Sequence, residues 1–193
     1  MPALHRRRWT LDEVDRLAEE RPGLTPRYEL VDGELLVTPA PTRRHQRIVA
    51  ELLVLLRAYV NEHQLGEVSM GPGVARVASD SRFEPDLFVI PSLDGKRRRA
   101  DDMSVTGASL IVEVLSPGSS RHDRITKRRY FQSRGVPEYW VIDGDAEAFE
   151  IWHPGDVRAA LVDDRLRWHP AEAAAPFELD VARFFSEIAD DQE

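Results

Sequence analysis

Apolar and polar positions along this chain follow several distinct periods, and each period predicts a different element. Thr10-Leu11-Asp12-Glu13 fits a capping box and predicts a short helix running to Glu20, where Arg21-Pro22-Gly23 ends it. Tyr28 to Val31 and Leu35 to Thr38 are strand-like, and Asp32-Gly33 between them is a strong hairpin signal. From about Thr42 to Asn61, the residues His45, Val49, Leu52, Leu56 and Tyr59 recur at spacings of three and four. Such a stripe is the buried face of a long helix. Turns at Gly66 and Gly71-Pro72-Gly73 then bracket short strands at Val68 to Met70 and Val74 to Val77.

Two runs break with alternation. Leu87 to Ile90 and Leu110 to Leu115 are continuously apolar, as central strands covered on both faces are. Pro91 to Gly107 between them reads as a charged loop with one helical turn. After Ser116-Pro117-Gly118, a helix is expected from Arg121 to Ser133, stopping at Gly135. Pro137 to Ile142 is a strand, Asp143-Gly144 turns the chain, and Ala148 to Trp152 returns it. Short strands near Val157 to Val162 and Leu166 to Trp168, then a fraying acidic helix over Phe184 to Glu193, complete the order. This succession predicts an α/β (α+β) fold with a mixed central sheet flanked by helices. It is expected to be one domain: a helical extension over 1–24, a core over 25–155, and C-terminal strands with a short helix over 156–193.

Composition narrows the function. No apolar run approaches the roughly 20 residues that span a bilayer. Arg6, Arg7 and Arg8 are followed by no apolar stretch, so no secretory signal is expected and the chain is read as cytoplasmic, with no membrane partner. The chain has no cysteine, which excludes disulfides, zinc–thiolate sites and cysteine nucleophiles. A net charge of -8 argues against a protein that merely coats nucleic acid. The basic residues nevertheless cluster at Arg6 to Arg8, Arg43 to Arg47, Lys96 to Arg99 and Arg121 to Arg129, as solvated loops or as local phosphate contacts. Only Lys96 and Lys127 among the 26 basic residues are lysine. In an arginine-biased chain, a retained lysine points to a need for a compact ammonium, because the two cations differ in geometry and hydration.

Candidate chemistry centres on the two apolar runs. Glu113 lies between Val112 and Val114, where an ionised carboxylate is costly without compensation. It can be protonated, paired with an arginine, or bound to a cation. Asp86 opens the neighbouring run directly after Pro85, and two carboxylates at the ends of adjacent strands repel each other. A shared divalent cation would relieve that repulsion and suits the hard oxygen donors of magnesium chemistry. Asp123, Lys127 and Tyr130 fall at i, i+4 and i+7, one helix face. They form either an ordinary surface pair with a tyrosine beside it, or a lysine aimed back at the carboxylates.

Together these segments resemble a known superfamily. Glu84-Pro85-Asp86, a strand, a loop and Leu110-Ile-Val-Glu113-Val-Leu115 resemble the PD-(D/E)XK nuclease signature. Tyr28 to Glu34, His45, Glu113 to Pro117, Asp123 to Tyr130 and Gly135 to Trp140 further resemble the Uma-two family, over roughly residues 25 to 155. The resemblance implies a restriction-endonuclease-like core and hydrolysis of nucleic-acid phosphodiester bonds, with DNA as the substrate and Mg2+ or Mn2+ as the cofactor. It implies Asp86 and Glu113 as catalytic metal-binding carboxylates, with the Val114 carbonyl completing that side. Leu115 stands where the superfamily carries lysine, and Lys127 matches the position from which related branches supply it. His45, Asp123, Tyr130 and Glu34 are supporting candidates, Glu34 as a contributor to a second metal. A homodimer would let such an enzyme reach both strands of a duplex. The alternative is a catalytically inactive protein of the same fold that binds nucleic acid or a protein partner.

Overall fold

Thr10 and Glu13 close the expected capping box: Thr10 N–H donates to Glu13 Oε2 at 2.9 Å, and Glu13 N–H donates to Thr10 Oγ1 at 3.3 Å. They start helix α1, Leu11–Glu20. The computed structural model describes residues 7–20, 25–71, 75–78, 81–92 and 107–190. Most of the expected loop between Pro91 and Gly107, and the Lys96 to Arg99 cluster in it, lie outside the described residues, as does Arg6.

Strands β1 (Arg27–Val31) and β2 (Glu34–Thr38) pair antiparallel around Asp32-Gly33, whose φ angles of 48° and 80° are those a tight hairpin turn requires. Helix α2 (Arg43–Glu62) follows, with Thr42 Oγ1 accepting the His45 N–H at 3.1 Å. That bond satisfies one of the open N–H groups of the first turn. Thr42→Ala is expected to cost about 1 kcal/mol. Urea denaturation should show a lower midpoint with an unchanged slope.

The remaining strands are β3 (Gly66–Met70), β4 (Ala75–Ala78), β5 (Ser81–Phe83), β6 (Leu87–Pro91), β7 (Leu110–Val114), β8 (Glu138–Asp143), β9 (Ala148–Trp152), β10 (Ala160–Val162), β11 (Arg165–Trp168) and β12 (Phe177–Asp180). The main sheet has the order β10-β9-β8-β7-β6-β3. Only its β7–β8 pair is parallel, so the sheet is mixed, as expected. A second sheet runs β2-β1-β5-β4, and β11 pairs with β12 apart from both.

The continuous apolar runs do form central strands buried on both faces. On one face Val89, Leu110, Val112 and Trp140 pack under α2 and under helix α4 (Val181–Asp190). On the other, Phe88, Ile111 and Tyr139 meet Val31 and Leu36 of the second sheet. β5 and β12 were not foreseen, and α4 starts at Val181 rather than Phe184. The strand expected from Val157 shrinks to Ala160–Val162; Val157 is exposed, with no neighbour to cover it.

The crossover from β7 to β8 departs from regular geometry. Its core is a π-helical turn, His122–Lys127, continued by helix α3, Arg128–Ser133. Single π turns of this kind are rare and recur at functional sites.

Candidate active site

The register of the central strands sets the two acids face to face. Leu87 pairs with Val112 in the antiparallel β6–β7 ladder, so one further step places Asp86 opposite Glu113. Alternation puts Glu113 on the same side as Ile111, toward the second sheet. β1 lies across this side and contributes Arg27 and Glu29 from alternate positions. The π turn contributes Asp123 and Lys127, and the first turn of α2 contributes His45.

Asp86 is buried, and both its oxygens are held. Oδ1 accepts Arg27 Nη1–H at 2.8 Å; Oδ2 accepts His45 Nε2–H at 3.0 Å and the Val114 N–H at 2.9 Å. Burial alone would raise its pKa, but the His45 hydrogen bond, the charges of His45 and Arg27 and the Val114 N–H together draw it down to about 2. An ionised carboxylate only accepts, so Nε2 of His45 carries a proton.

Lys127 is 1% exposed and sits among three carboxylates: Glu29 Oε2 at 2.8 Å, Asp123 Oδ1 at 3.0 Å and Glu113 Oε1 at 3.1 Å. Burial opposes its charge, yet Asp123, Glu113 and Glu29 overcome this and keep the ammonium well above its ordinary pKa. Glu113 also has a raised pKa, which for an acid favours the neutral form. Burial pushes its carboxyl well above the usual range against the pull of Lys127, and the charges of Asp123, Asp86 and Glu29 push it further. Glu29 is tied down at its other oxygen, where Oε1 accepts the Glu84 N–H at 2.9 Å. Glu84 in turn meets Arg82 Nη2 at 2.9 Å. Tyr139 is buried in the core, and its hydroxyl donates to the Asp123 carbonyl at 2.9 Å, bracing the π turn.

The centre thus joins Glu29, Asp86, Glu113 and Asp123 with two direct counter-ions, Arg27 and Lys127. His45 aside, its carboxylates outnumber its cations by two, and all four acids are buried. Two clefts flank His45. One, of about 460 Å3, is bordered by Arg27, Asp86, Gln46 and Gly71. The other, of about 620 Å3, is bordered by Arg44, Ser116, Ser120 and Arg124.

Asp86, Glu113, Val114, Lys127, Asp123 and His45 are therefore brought together. Glu34 and Tyr130 are not: they border a separate cleft with Val31 and Arg129. Tyr130 packs its ring 4.7 Å from that of Phe83. The π turn alters the helical phase, so the face drawn through i, i+4 and i+7 does not hold beyond Lys127. Arg27 and Glu29 were missed. The signal for Glu29 was the one that marked Glu113, an acid flanked by apolar residues in a strand.

Each basic cluster that falls among the described residues contains an arginine engaged in an ion pair. Arg7 meets Glu13 at 2.7 Å, Arg44 meets Glu147 at 2.7 Å, and Arg124 meets Glu150 and Asp143 at 2.6 and 2.8 Å. No group of three or more histidine, aspartate or glutamate side chains among the described residues is arranged to hold a metal ion. No helix among them is long and apolar enough to cross a membrane.

Comparison with known proteins agrees with this architecture. The profile of the family Uma2, described as "Putative restriction endonuclease", matches residues 11–182. An uncharacterised protein, sll1609, of Synechocystis sp. is 30% identical over 122 residues, covering 62% of this chain and 67% of the relative. A crystal structure from Anabaena variabilis, described as "a putative nuclease belonging to DUF820", superposes with a TM-score of 0.71 at 18% identity. The match covers 91% of this chain and 98% of the other. At that identity the likeness speaks for the fold.

Proposed function

Because the chain belongs to the Uma2 family, we propose that it is a metal-dependent endonuclease acting on DNA, with its reaction centre at Asp86, Glu113 and Lys127. One observation carries this reading: two buried carboxylates face each other on adjacent strands inside a centre whose acids outnumber its cations. The donors fit a hard divalent cation such as Mg2+ or Mn2+. Such an ion commonly takes one or two carboxylates and completes its shell with water and phosphate, so a third acidic side chain is not required. Asp86, Glu113 and the Val114 carbonyl would hold it. When bound, it supplies a water of lowered pKa and neutralises charge on the phosphoryl oxygens.

The chain's own residues divide the remaining work. Lys127 anchors Glu113 and keeps it from folding away from Asp86. Glu29 and Asp123 hold Lys127 in turn. His45 and the Val114 N–H fix the plane of the Asp86 carboxylate. The raised proton affinity of Glu113 is the expected mark of a place awaiting positive charge.

The test is cleavage of single- and double-stranded DNA and RNA with Mg2+ or Mn2+ by wild type, Asp86→Asn and Glu113→Gln. Wild-type cutting that falls at least ~100-fold in both variants and stops with a chelator supports the reading. Cutting that survives Asp86→Asn would overturn it. Salt-dependent binding with no cutting by any metal would assign the protein to the non-catalytic alternative.

A further inference from the structure

The sealed position of Lys127 leaves an unfilled role. Nucleic-acid backbone chemistry needs a cation that can touch phosphate. Lys127 is 1% exposed and its ammonium is already shared among three carboxylates, so it acts on Glu113 and not on the substrate. Arg27 is placed differently. Its side chain is 12% exposed and borders the cleft on the Asp86 side. Only one end of its fork is spent: Nη1 donates to Asp86 Oδ1 at 2.8 Å and to the Glu84 carbonyl at 3.3 Å. Its Nε is buried and has no hydrogen-bond partner among the described residues, so the group left to meet a ligand is Nη2. A guanidinium offers five donors in a plane that matches a phosphate, and it stays charged at any working pH. The same cleft carries Gly71, where a Cβ would come within 2.9 Å of the Pro85 carbonyl oxygen, so the chain runs close to the site without a side chain in the way.

We propose that Arg27 is the phosphate-contacting residue of this site, donating to a non-bridging oxygen of the backbone phosphate that lies in the cleft beside Asp86. The proposal rests on the nuclease reading above, and divides its cations into an internal one that positions Glu113 and an outer one that meets the substrate. It also places the strand on the Arg27 side of Asp86 rather than over the π turn.

The experiment is binding without turnover. Fluorescein-labelled single- and double-stranded DNA of two unrelated sequences is titrated by anisotropy in chelator over a range of NaCl. Arg27→Gln is expected to weaken binding alike for all sequences and to make the slope of log K against log[salt] shallower by about 0.7 to 0.9, one phosphate contact. Arg27→Lys is expected to keep most of the slope. The double variant Arg27→Gln with Asp86→Asn removes the Asp86 charge together with its counter-ion, so it is expected to fold even where the single variant does not. Its slope stays shallow if Arg27 meets phosphate. A wild-type slope in the double variant would show that Arg27 is only the counter-ion of Asp86, and would overturn the proposal. Absence of nucleic-acid binding by wild type would instead overturn the nuclease reading itself.

Discussion

Lys127→Met is expected to destabilise the protein by about 3–5 kcal/mol, the cost of removing one partner from a buried charge network. Three carboxylates would lose the cation they share, in surroundings where water cannot take its place. Methionine has similar length, so the loss is one of charge rather than of volume. Urea denaturation measures it, and a protein that no longer folds is the extreme of the same result. Adding Glu113→Gln to Lys127→Met should recover part of the loss, because one of the stranded charges is then gone. A cost below about 1 kcal/mol, the level of an exposed pair, would show that Lys127 is not the hub of the centre.

Glu113→Gln alone is expected to act in the opposite direction on stability while removing the proposed cleavage. Burial holds the Glu113 carboxyl well above its ordinary value of 4.5. A folded acid of raised pKa binds its proton more tightly than the unfolded chain does. The stability this brings is complete below the unfolded value and is lost as pH rises through the folded one. Glutamine has no proton to lose, keeps the volume, and keeps an oxygen for Lys127. The variant should therefore match wild type near pH 4 and exceed it at pH 8. Each unit of separation between the folded and unfolded pKa is worth about 1.4 kcal/mol. Denaturation midpoints at the two pH values give the comparison. A variant less stable than wild type at both would mean that Glu113 is a net structural asset. The expected result would instead mark it as a residue kept at the expense of stability.

Much of this architecture was readable where local chemistry and long-range packing agree. The Asp32-Gly33 turn, the apolar stripe of α2 and the continuous runs of β6 and β7 each name their own element, and the structure has them. Asp86, Glu113 and Lys127 stood out because each conflicts with its local setting: an acid in or beside an apolar strand, a lysine in a chain of arginines. Arg27 and Glu29 did not. In Arg27-Tyr28-Glu29-Leu30 the polar residues alternate with apolar ones, which reads as a strand with one face in water. That face is instead covered by the main sheet, and only the packing of one sheet on another reveals it. β12 escaped notice for a similar reason: Phe177 to Asp180 is short, and its partner is β11 rather than either large sheet. The π turn is likewise invisible to a reading that assumes 3.6 residues per turn.

The crossover between the parallel strands has a bearing on how the centre comes into being. Glu113 and Lys127 are only 14 residues apart, joined by a short excursion from β7 into the π turn. Their contact can form early, at small cost in loop closure. The links to Asp86 and Glu29 reach much further along the chain: 41 residues from His45 to Asp86, 55 from Glu29 to Glu84, 59 from Arg27 to Asp86. These wait for the hairpin and α2 to dock on the central strands. A partly folded chain therefore joins an ammonium to one acid before the opposing aspartate is anchored. The proposed reaction centre is therefore assembled only when the last long-range contacts of the full chain close.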